Sequence, residues 1–473
     1  LKPKPRSTPP VAGETYRLTR TIPVEKGYDL VVAGGGPAGT AAAVCAARLG
    51  AKVLLLEATG CLGGMGTSGL VCAWSDLADG HRMIVGGFAA ELIEALYSRG
   101  GFKPGIDPAV WRTRLHGGMG FQAEGLKLLL DELCTAAGVE LRFFTRVIDA
   151  DYTGSLVHGV VLNNIEGYRY IQARAFIDAT GDAVLAGLCR IPCTEAGRDT
   201  QHIMPPTLCS AQAGIDWPRF YTADQQQAVF QGIADGFFSQ KDRHVPGLFA
   251  SGPTSGMLNA GHLFGTDALK CRSLSDGMIR GRQLAQEYVR FYRKYLPGCA
   301  NMEFITTAAL LGIRESRRAI GEYELNYDDY KARRSFPDQI AIYNKTVDVH
   351  VYDCSDEQWN RYFEEFTRKE RLGPGEYYGL PYGILVPQGW HNLWVAGRCN
   401  SSDVKVSGAI RDQPACFMMG QAAGTAAVQA IATGQPACDL DTVQLVESLR
   451  KQGAYLPQPE LRKTMTRAAA PVA

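Results

Sequence analysis

The first strong signal in the chain is a short apolar run, residues 28–33 (Tyr-Asp-Leu-Val-Val-Ala), which predicts a buried strand. Glycines follow, then a stretch of small residues over 37–49 that predicts a helix closed by Gly50. Residues 51–56 are a second apolar run, ending in Glu57. Together they make a β-α-β unit of about thirty residues, and such a unit pairs its strands in parallel.

Farther along, 122–137 carries apolar positions at helical spacing and stops at Gly138, and 139–144 reads as another core strand. Three alternating runs, 146–152, 156–162 and 168–177, predict an antiparallel meander joined by Asp-Tyr-Thr-Gly and Asn-Asn-Ile-Glu-Gly turns. Asp178-Ala-Thr-Gly-Asp182 then returns the chain to the first unit. From about 185 to 375 the texture changes to more aromatics and less glycine patterning, as expected of an inserted domain. Within it, 275–295 predicts a helix capped by Ser275, 304–313 a strand, and the charged segment 363–375, ending in Gly-Pro-Gly, a hinge. Residues 392–397 predict a second buried strand that leads through a polar loop into an alanine- and glycine-rich helix over 414–433. The division expected is an arm over 1–27, a nucleotide-binding unit in two pieces (28–185 and 376–435), an insert over 186–375 and a tail over 436–473.

Composition narrows the partners. The chain of 473 residues balances 49 Lys+Arg against 48 Asp+Glu, so no broad field recruits nucleic acid or an anionic membrane. A small-molecule substrate is expected, and a homo-oligomer is compatible with it. The most apolar stretch, 28–56, is broken by glycines, Arg48 and Lys52, so no membrane span is expected. The 13 cysteines are irregularly spaced and contain no Cys-x-x-Cys pair, which argues for free thiols in a reducing cytoplasm and against a redox dithiol, a zinc ribbon or an iron–sulfur cluster. No metal is expected. A cytoplasmic location is the expectation, with a start at Leu1 that also suits removal of a leader; residues 1–13, with four prolines, read as a loose arm.

Gly34-Gly35-Gly36-Pro37-Ala38-Gly39 fits G-x-G-x-x-G. Gly34 permits the tight turn, Gly36 lets a pyrophosphate approach the backbone, and Gly39 lets helix and strand lie close. Pro37 suits the first helical turn, where its missing N–H costs nothing. The free N–H groups from Ala38 onward face the phosphates. Glu57, at the end of the next strand, is placed to accept from a ribose.

Whether that ligand is NAD or FAD depends on segments elsewhere. The fingerprint, Gly63-Gly64, Ala179-Thr-Gly-Asp182, Leu393-Trp-Val-Ala-Gly-Arg398 and Gly420-Gln-Ala-Ala-Gly424 together resemble bacterial FAD-dependent oxidoreductases related to the fumarate reductase, thiazole synthase and heterodisulfide reductase flavoproteins. The resemblance runs from about Thr19 to Ala432. It implies an α/β protein: a Rossmann-type, glutathione-reductase-like FAD-binding domain (parallel sheet plus β-meander) with an inserted α+β substrate domain. It also implies FAD contacts from Gly34, Gly36, Pro37, Ala38, Gly39, Glu57, Gly63, Gly64, Met65, Val147, Thr180, Gly181 and Asp182, and from Gly397, Arg398, Cys399, Ser407, Gly408 and Gln413 far along the chain. The helix starting near Pro414 would set its positive end against the flavin edge that becomes negative on reduction.

Gly312-Ile-Arg-Glu-Ser-Arg317-Arg318, Asp348-Val-His350 and Tyr378-Gly-Leu-Pro-Tyr382 also resemble the family pattern. Flavin oxidation of a C–H bond needs a hydride path to N5 and, for alcohols or amines, a base for the second proton. His350 is the best base on intrinsic pKa, and Asp348, two residues away on an expected strand, would share its face and orient it; a hydrogen-bonded structural histidine is the alternative. Arg314 and Arg317 suit a substrate carboxylate or the cofactor, and salt bridges to Glu315 or Glu322 account for them nearly as well. Cys399 reads as a small apolar residue near the isoalloxazine, and Cys61 and Cys72 as weak candidates for covalent attachment. His81, His116, His202 and His262 read as surface or core residues. No second dinucleotide fingerprint occurs, so electrons are expected to leave through the substrate site or to an external acceptor. Aromatic hydroxylases carry Gly-Asp-Ala-Ala-His where this chain has Gly397-Arg-Cys-Asn-Ser-Ser-Asp403, which disfavours monooxygenation. The expected reaction is hydride transfer between a small polar metabolite and FAD; the alternatives are a monooxygenase, a thiazole-synthase-like biosynthetic enzyme and an electron-transfer subunit.

Overall fold

The computed structural model describes residues 15–364 and 371–457. Its largest sheet has seven strands. Val24–Ala33 lies between Val53–Leu56 and Gly167–Asp178, parallel to both, with Ala33 level with Leu56 on one side and Asp178 on the other. Glu140–Arg142 adds a parallel edge beyond Val53–Leu56. Leu30–Ala33 and Val53–Leu56 are buried on both faces, which is why these strands read as continuous apolar runs rather than alternations. Arg146–Thr153, Leu156–Asn164 and Gly167–Asp178 form the expected antiparallel meander. Gly167–Asp178 does double duty: its first half closes the meander, and its last residues, Phe176 to Asp178, pair in parallel with Leu393–Val395.

That pairing brings the remote C-terminal segment into the first unit, and two helices hold it there. Pro37–Arg48 packs along Gln413–Thr433 with backbone against backbone. A Cβ on Gly420 would stand 2.0 Å from the carbonyl oxygen of Ala38, and one on Gly424 would stand 2.3 Å from that of Ala42. The four-residue spacing sets both glycines on one helix face. Gln413–Thr433 is long and apolar enough to cross a membrane by length and composition, but most of it is buried inside the protein. It is the alanine- and glycine-rich helix expected over 414–433.

A four-stranded sheet, Gly247–Ala250, Gly256–Asn259, Ser210–Ala213 and Glu303–Thr307, belongs to the insert. With helix Cys271–Tyr295 it encloses its own core of Ile215, Trp217, Phe220, Phe291, Tyr292 and Met302. Leu325, Tyr330 and Tyr343, which fall in the expected insert, instead join Tyr378 and Leu385 in the core of the nucleotide half.

Several local expectations are corrected. The long helix starts at Cys271 with Lys270 at its cap; Ser275 lies inside it and donates to the Cys271 carbonyl at 2.9 Å, the back-bonding open to a mid-helix serine. The strand expected over 304–313 ends at Thr307, because the N–H groups of Ala309 and Leu310 leave the sheet to donate to Ser68 O, docking this loop on the segment that follows Gly63-Gly64. Of the expected hinge, 365–370 lie outside the described residues, while Leu372 is buried and Gly375 N donates to Asp79 O at 2.7 Å. At the other end, Val24 and Glu25 already pair with Tyr170 and Ile171.

Candidate functional site

A cavity of about 570 Å³ opens at the carboxyl ends of the parallel strands, where ligands bind in open α/β sheets. Its first end is built by the glycine fingerprint. Gly34 has φ +98°, and a Cβ there would lie 2.5 Å from Ala179 O; a Cβ on Gly39 would collide with Gly34 O at 1.8 Å. Neither position admits another residue, so the turn and the helix close tightly behind the cavity. Gly36 differs: a Cβ there meets nothing within 4 Å, and no side chain caps the helix that follows. Its first-turn N–H groups are thus offered to the cavity.

Glu57 is held in place by three donors: Gly35 N and the N–H and hydroxyl of Thr59, each at 2.7 Å. A carboxylate has about four acceptor sites, so one remains for a ribose. Gly64 and Met65 line the same wall, and Gly63, with φ +93°, lies behind it, tying the loop to Gly35 O through its N–H at 2.8 Å. Val147 faces them from the meander, and Thr180, Gly181 and Asp182 from the end of the central strand. Asp182 accepts from Arg398 Nη2 at 2.6 Å and from Ser316 Oγ at 2.7 Å, clamping three distant segments beside the cavity.

The far end is closed by the C-terminal segment. Gly397, Arg398, Asp412, Gln413, Pro414 and Cys416 line it. Gln413 spans the wall, donating to Val71 O at 2.7 Å and accepting from Trp74 Nε1 at 3.2 Å. Cys399 does not line the cavity; it is fully buried, its thiol directed at Asp178 O and Ala396 O, and burial pushes its pKa up. It packs as the small apolar residue expected. Ser407 and Gly408 also lie behind the lining, inside helix Val404–Ile410. Gly408 instead makes room for the Asp348 backbone, whose carbonyl oxygen would be 2.9 Å from a Cβ there. Cys72 lines the cavity with its thiol on Gly66 O, whereas Cys61 does not.

Beyond the glycine-lined part the wall becomes charged. Asp348 and His350 come together as expected, Oδ1 to Nε2 at 3.3 Å, although residues 344–351 form an irregular segment rather than a strand. Arg411 fixes the other oxygen of Asp348 at 3.0 Å. Behind His350, its Nδ1 lies 2.8 Å from Nε2 of His262. Nδ1 of His262 stands 2.9 Å from Asp242 Oδ2, close enough for an ion pair but without hydrogen-bond alignment. His262 is therefore not an isolated core histidine; nothing in its spacing from residues 242 and 350 announces this cluster. Burial, reinforced by Arg314, holds the His350 pKa well below the ordinary histidine value. Among the other histidines, His116 bonds Asp76 at 2.9 Å, His202 stacks on Tyr352, and His81 is exposed.

Arg314 lines the cavity and is 6% exposed. Its Nη1 donates to Pro205 O at 2.6 Å and Thr207 Oγ1 at 3.1 Å, both neutral, and no carboxylate among the described residues lies within ion-pair distance. Desolvation, with Arg411 nearby, lowers its pKa to about 10. Arg317 points the other way, to Glu195 Oε1 at 3.2 Å and Ala183 O, and does not line the cavity. Arg317 opens the short strand Arg317–Ala319, paired opposite Glu195, whereas Arg314 lies in the loop before it, so residues 314 and 317 part company. Sequence reasoning missed Lys345, which reaches Asp76 at 3.0 Å and Asp412 at 3.5 Å. It also missed Arg411 and Asp412, although a charged pair directly before an apolar helix is a legible signal.

An FAD fits these residues: an open glycine cradle under free N–H groups, a carboxylate with spare acceptor capacity, and a cavity continuing to a remote helix N-terminus. Solved structures similar to this chain include a geranylgeranyl bacteriochlorophyll reductase-like protein from Thermoplasma acidophilum (14% identity, 91% of this chain and 84% of that one, TM-score 0.46). Others are p-nitrophenol 4-monooxygenase PnpA from Pseudomonas putida DLL-E4 (12%, 90% and 84%, 0.46) and THI4 from Thermovibrio ammonificans (19%, 36% and 64%, 0.26). Likenesses this distant carry no argument about the reaction. None of the curated proteins matches the sequence. The model of the FAD dependent oxidoreductase family matches residues 29–451, nearly the whole chain, so this protein belongs to that family and its cofactor is FAD.

Proposed function

We propose that this oxidoreductase transfers a hydride between a small carboxylate-bearing metabolite, a hydroxy or amino acid, and N5 of FAD. The observation that carries the reading is Arg314. A buried charge costs several kcal/mol unless it is paired, and two neutral acceptors do not neutralise a guanidinium. An anionic ligand in the cavity does, and a planar carboxylate matches its fork of donors. FAD, when bound, supplies the acceptor for the hydride.

Gly34, Gly36, Pro37 and Ala38 would receive the pyrophosphate and Glu57 the ribose. Met65, Val147, Thr180 and Gly181 would flank the cofactor, and Gly397, Arg398 and Gln413 its flavin end. His350, kept neutral by burial and by Arg314, takes the hydroxyl or amine proton at Nε2. Asp348, 3.3 Å from that nitrogen and itself anchored by Arg411, stabilises the imidazolium that forms. In the reverse direction the same groups donate the proton while an activated double bond is reduced.

The test is anaerobic mixing of the FAD-loaded protein with matched pairs of hydroxy acids or amino acids and their amides. The acids should bleach the flavin absorbance and the amides should not, and Arg314→Gln should raise the half-saturating acid concentration about a hundredfold, the scale of a lost charged hydrogen bond of about 3 kcal/mol. Equal bleaching by acid and amide, or by neither across the panel, overturns the reading.

A further inference from the structure

The row of side chains that begins at His350 does not end in the core. His262 Nε2 meets His350 Nδ1 at 2.8 Å, and Asp242 Oδ2 stands 2.9 Å from the other ring nitrogen of His262. Asp242 also lines a second, outer cleft of about 10 Å³, together with Lys241, Arg243, Asp353, Ser355 and Trp359. Lys241 and Ser355 are exposed, and the cleft has the volume of roughly one water. His350, His262 and Asp242 are 6%, 2% and 3% exposed, so the row crosses an otherwise closed wall between the large cavity and the surface.

Counting protons gives the row a direction. Two neutral imidazoles carry two protons, and three gaps separate Asp348, His350, His262 and Asp242. When the protons sit on the Nδ1 atoms, His262 faces Asp242 with an N–H, His350 donates to His262, and His350 Nε2 is left bare beside Asp348. A third proton arriving at that nitrogen fills every gap, and one then leaves from the opposite end.

We propose that His262 and Asp242 form a proton exit leading from His350 to solvent at the outer cleft. His350 gains a proton at Nε2 and passes its Nδ1 proton to His262 Nε2. A rotation of the His262 ring brings its Nδ1–H into line with Asp242 Oδ2, 2.9 Å from that nitrogen, and lets His262 pass that proton through Asp242 to water. One proton enters and one leaves, only N–H and O–H bonds change, and both imidazoles finish with their proton on Nε2, set to run the row in the opposite direction. The exit lets the site discharge the substrate proton without opening to bulk water. It rests on His350 being the group that receives that proton; His262 and Asp242 are positioning residues that act through it.

The surroundings suit transfer along this row rather than away from it. Arg314 and Arg411 face the His350 end as fixed cations, with Asp348 between them. The His244 ring lies 5.1 Å from both His262 and His350, burial lowers its pKa to about 4, and Tyr362 covers its Nε2 at 3.3 Å, so it shields the pair as a neutral ring. Phe264 covers His262 from another side. The His244 N–H donates to Asp242 Oδ1 at 3.1 Å and keeps the outer carboxylate in register. Among the described residues no group of three or more His, Cys, Asp and Glu is arranged to hold a metal.

The test needs no substrate. FAD-loaded full-length protein with 15N-labelled histidine should show a coupling across the His262–His350 hydrogen bond, and its shared proton should exchange with water. Asp242→Asn, which accepts hydrogen bonds but cannot relay a proton, should keep the coupling and slow that exchange at least tenfold; His262→Gln should abolish the coupling while the flavin spectrum persists. Absence of the coupling in the wild type, or an exchange rate unchanged by Asp242→Asn, overturns the exit. Failure of the acid panel would remove the substrate reading and leave this result standing, so the two are separable.

Discussion

Replacing Gly36 by alanine should separate folding from cofactor binding. Gly36 has φ −68° and ψ −174°, a conformation open to any residue, and the added Cβ meets no heavy atom within 4 Å. Loss of unfolded-state freedom favours the variant by about 0.4–1 kcal/mol, and the poorer helix-capping of alanine takes back a similar amount, about 0.5–1 kcal/mol. The apoprotein should therefore match the wild type within about 1 kcal/mol. The methyl group nevertheless occupies the space through which a pyrophosphate reaches the first-turn N–H groups. Losing one such charged hydrogen bond costs about 1.5–3 kcal/mol, a roughly ten- to hundredfold rise in the FAD Kd. Urea unfolding of the apoprotein measures the first quantity and quenching of FAD fluorescence the second. An unchanged FAD affinity, or an apoprotein weakened by more than about 2 kcal/mol, refutes the argument that Gly36 is kept open for the cofactor.

Gly420→Ala should do the reverse. Its Cβ would stand 2.0 Å from Ala38 O, a backbone atom, and overpacking of about 2–3 kcal/mol, less about 1 kcal/mol of gained helix propensity, leaves the apoprotein about 1–2 kcal/mol less stable by urea unfolding; wild-type stability would contradict the backbone contact. His244 gives a pH dependence. Its pKa of about 4 in the native protein lies below the ordinary 6.5, so the unfolded chain binds the extra proton between those values, and stability present above pH 6.5 is lost as pH falls toward 4, on the order of 2–3 kcal/mol. The unfolding free energy of His244→Phe should fall less steeply over that window, and an identical slope would count against a neutral His244.

The nucleotide half was legible because its physics is local. Strands buried on both faces leave unbroken apolar runs, as at 53–56, and tight approaches leave glycines at fixed spacings, as at Gly34, Gly39, Gly420 and Gly424. The charged end was legible only in part. Asp348 and His350 were found because they are neighbours in sequence, whereas Asp242, His262, Lys345 and Arg411 converge from segments whose meeting depends on how the insert folds back. The choice between Arg314 and Arg317 turned on where the chain leaves the cavity wall to enter the strand Arg317–Ala319, which no periodicity marks. The strand expected over 304–313 stopped short for a related reason: past Thr307, Ala308 and Leu311 are buried against Leu208, Leu263 and Leu284 from a loop rather than in a ladder.

The most direct measurement of the central claim, that the fingerprint and the distant helix Gln413–Thr433 close around one flavin dinucleotide, is a titration of the apoprotein with FAD and, separately, with NAD. The expected result is saturation at one FAD per chain and no comparable uptake of NAD. A protein that takes up no FAD, or binds both dinucleotides alike, would contradict it.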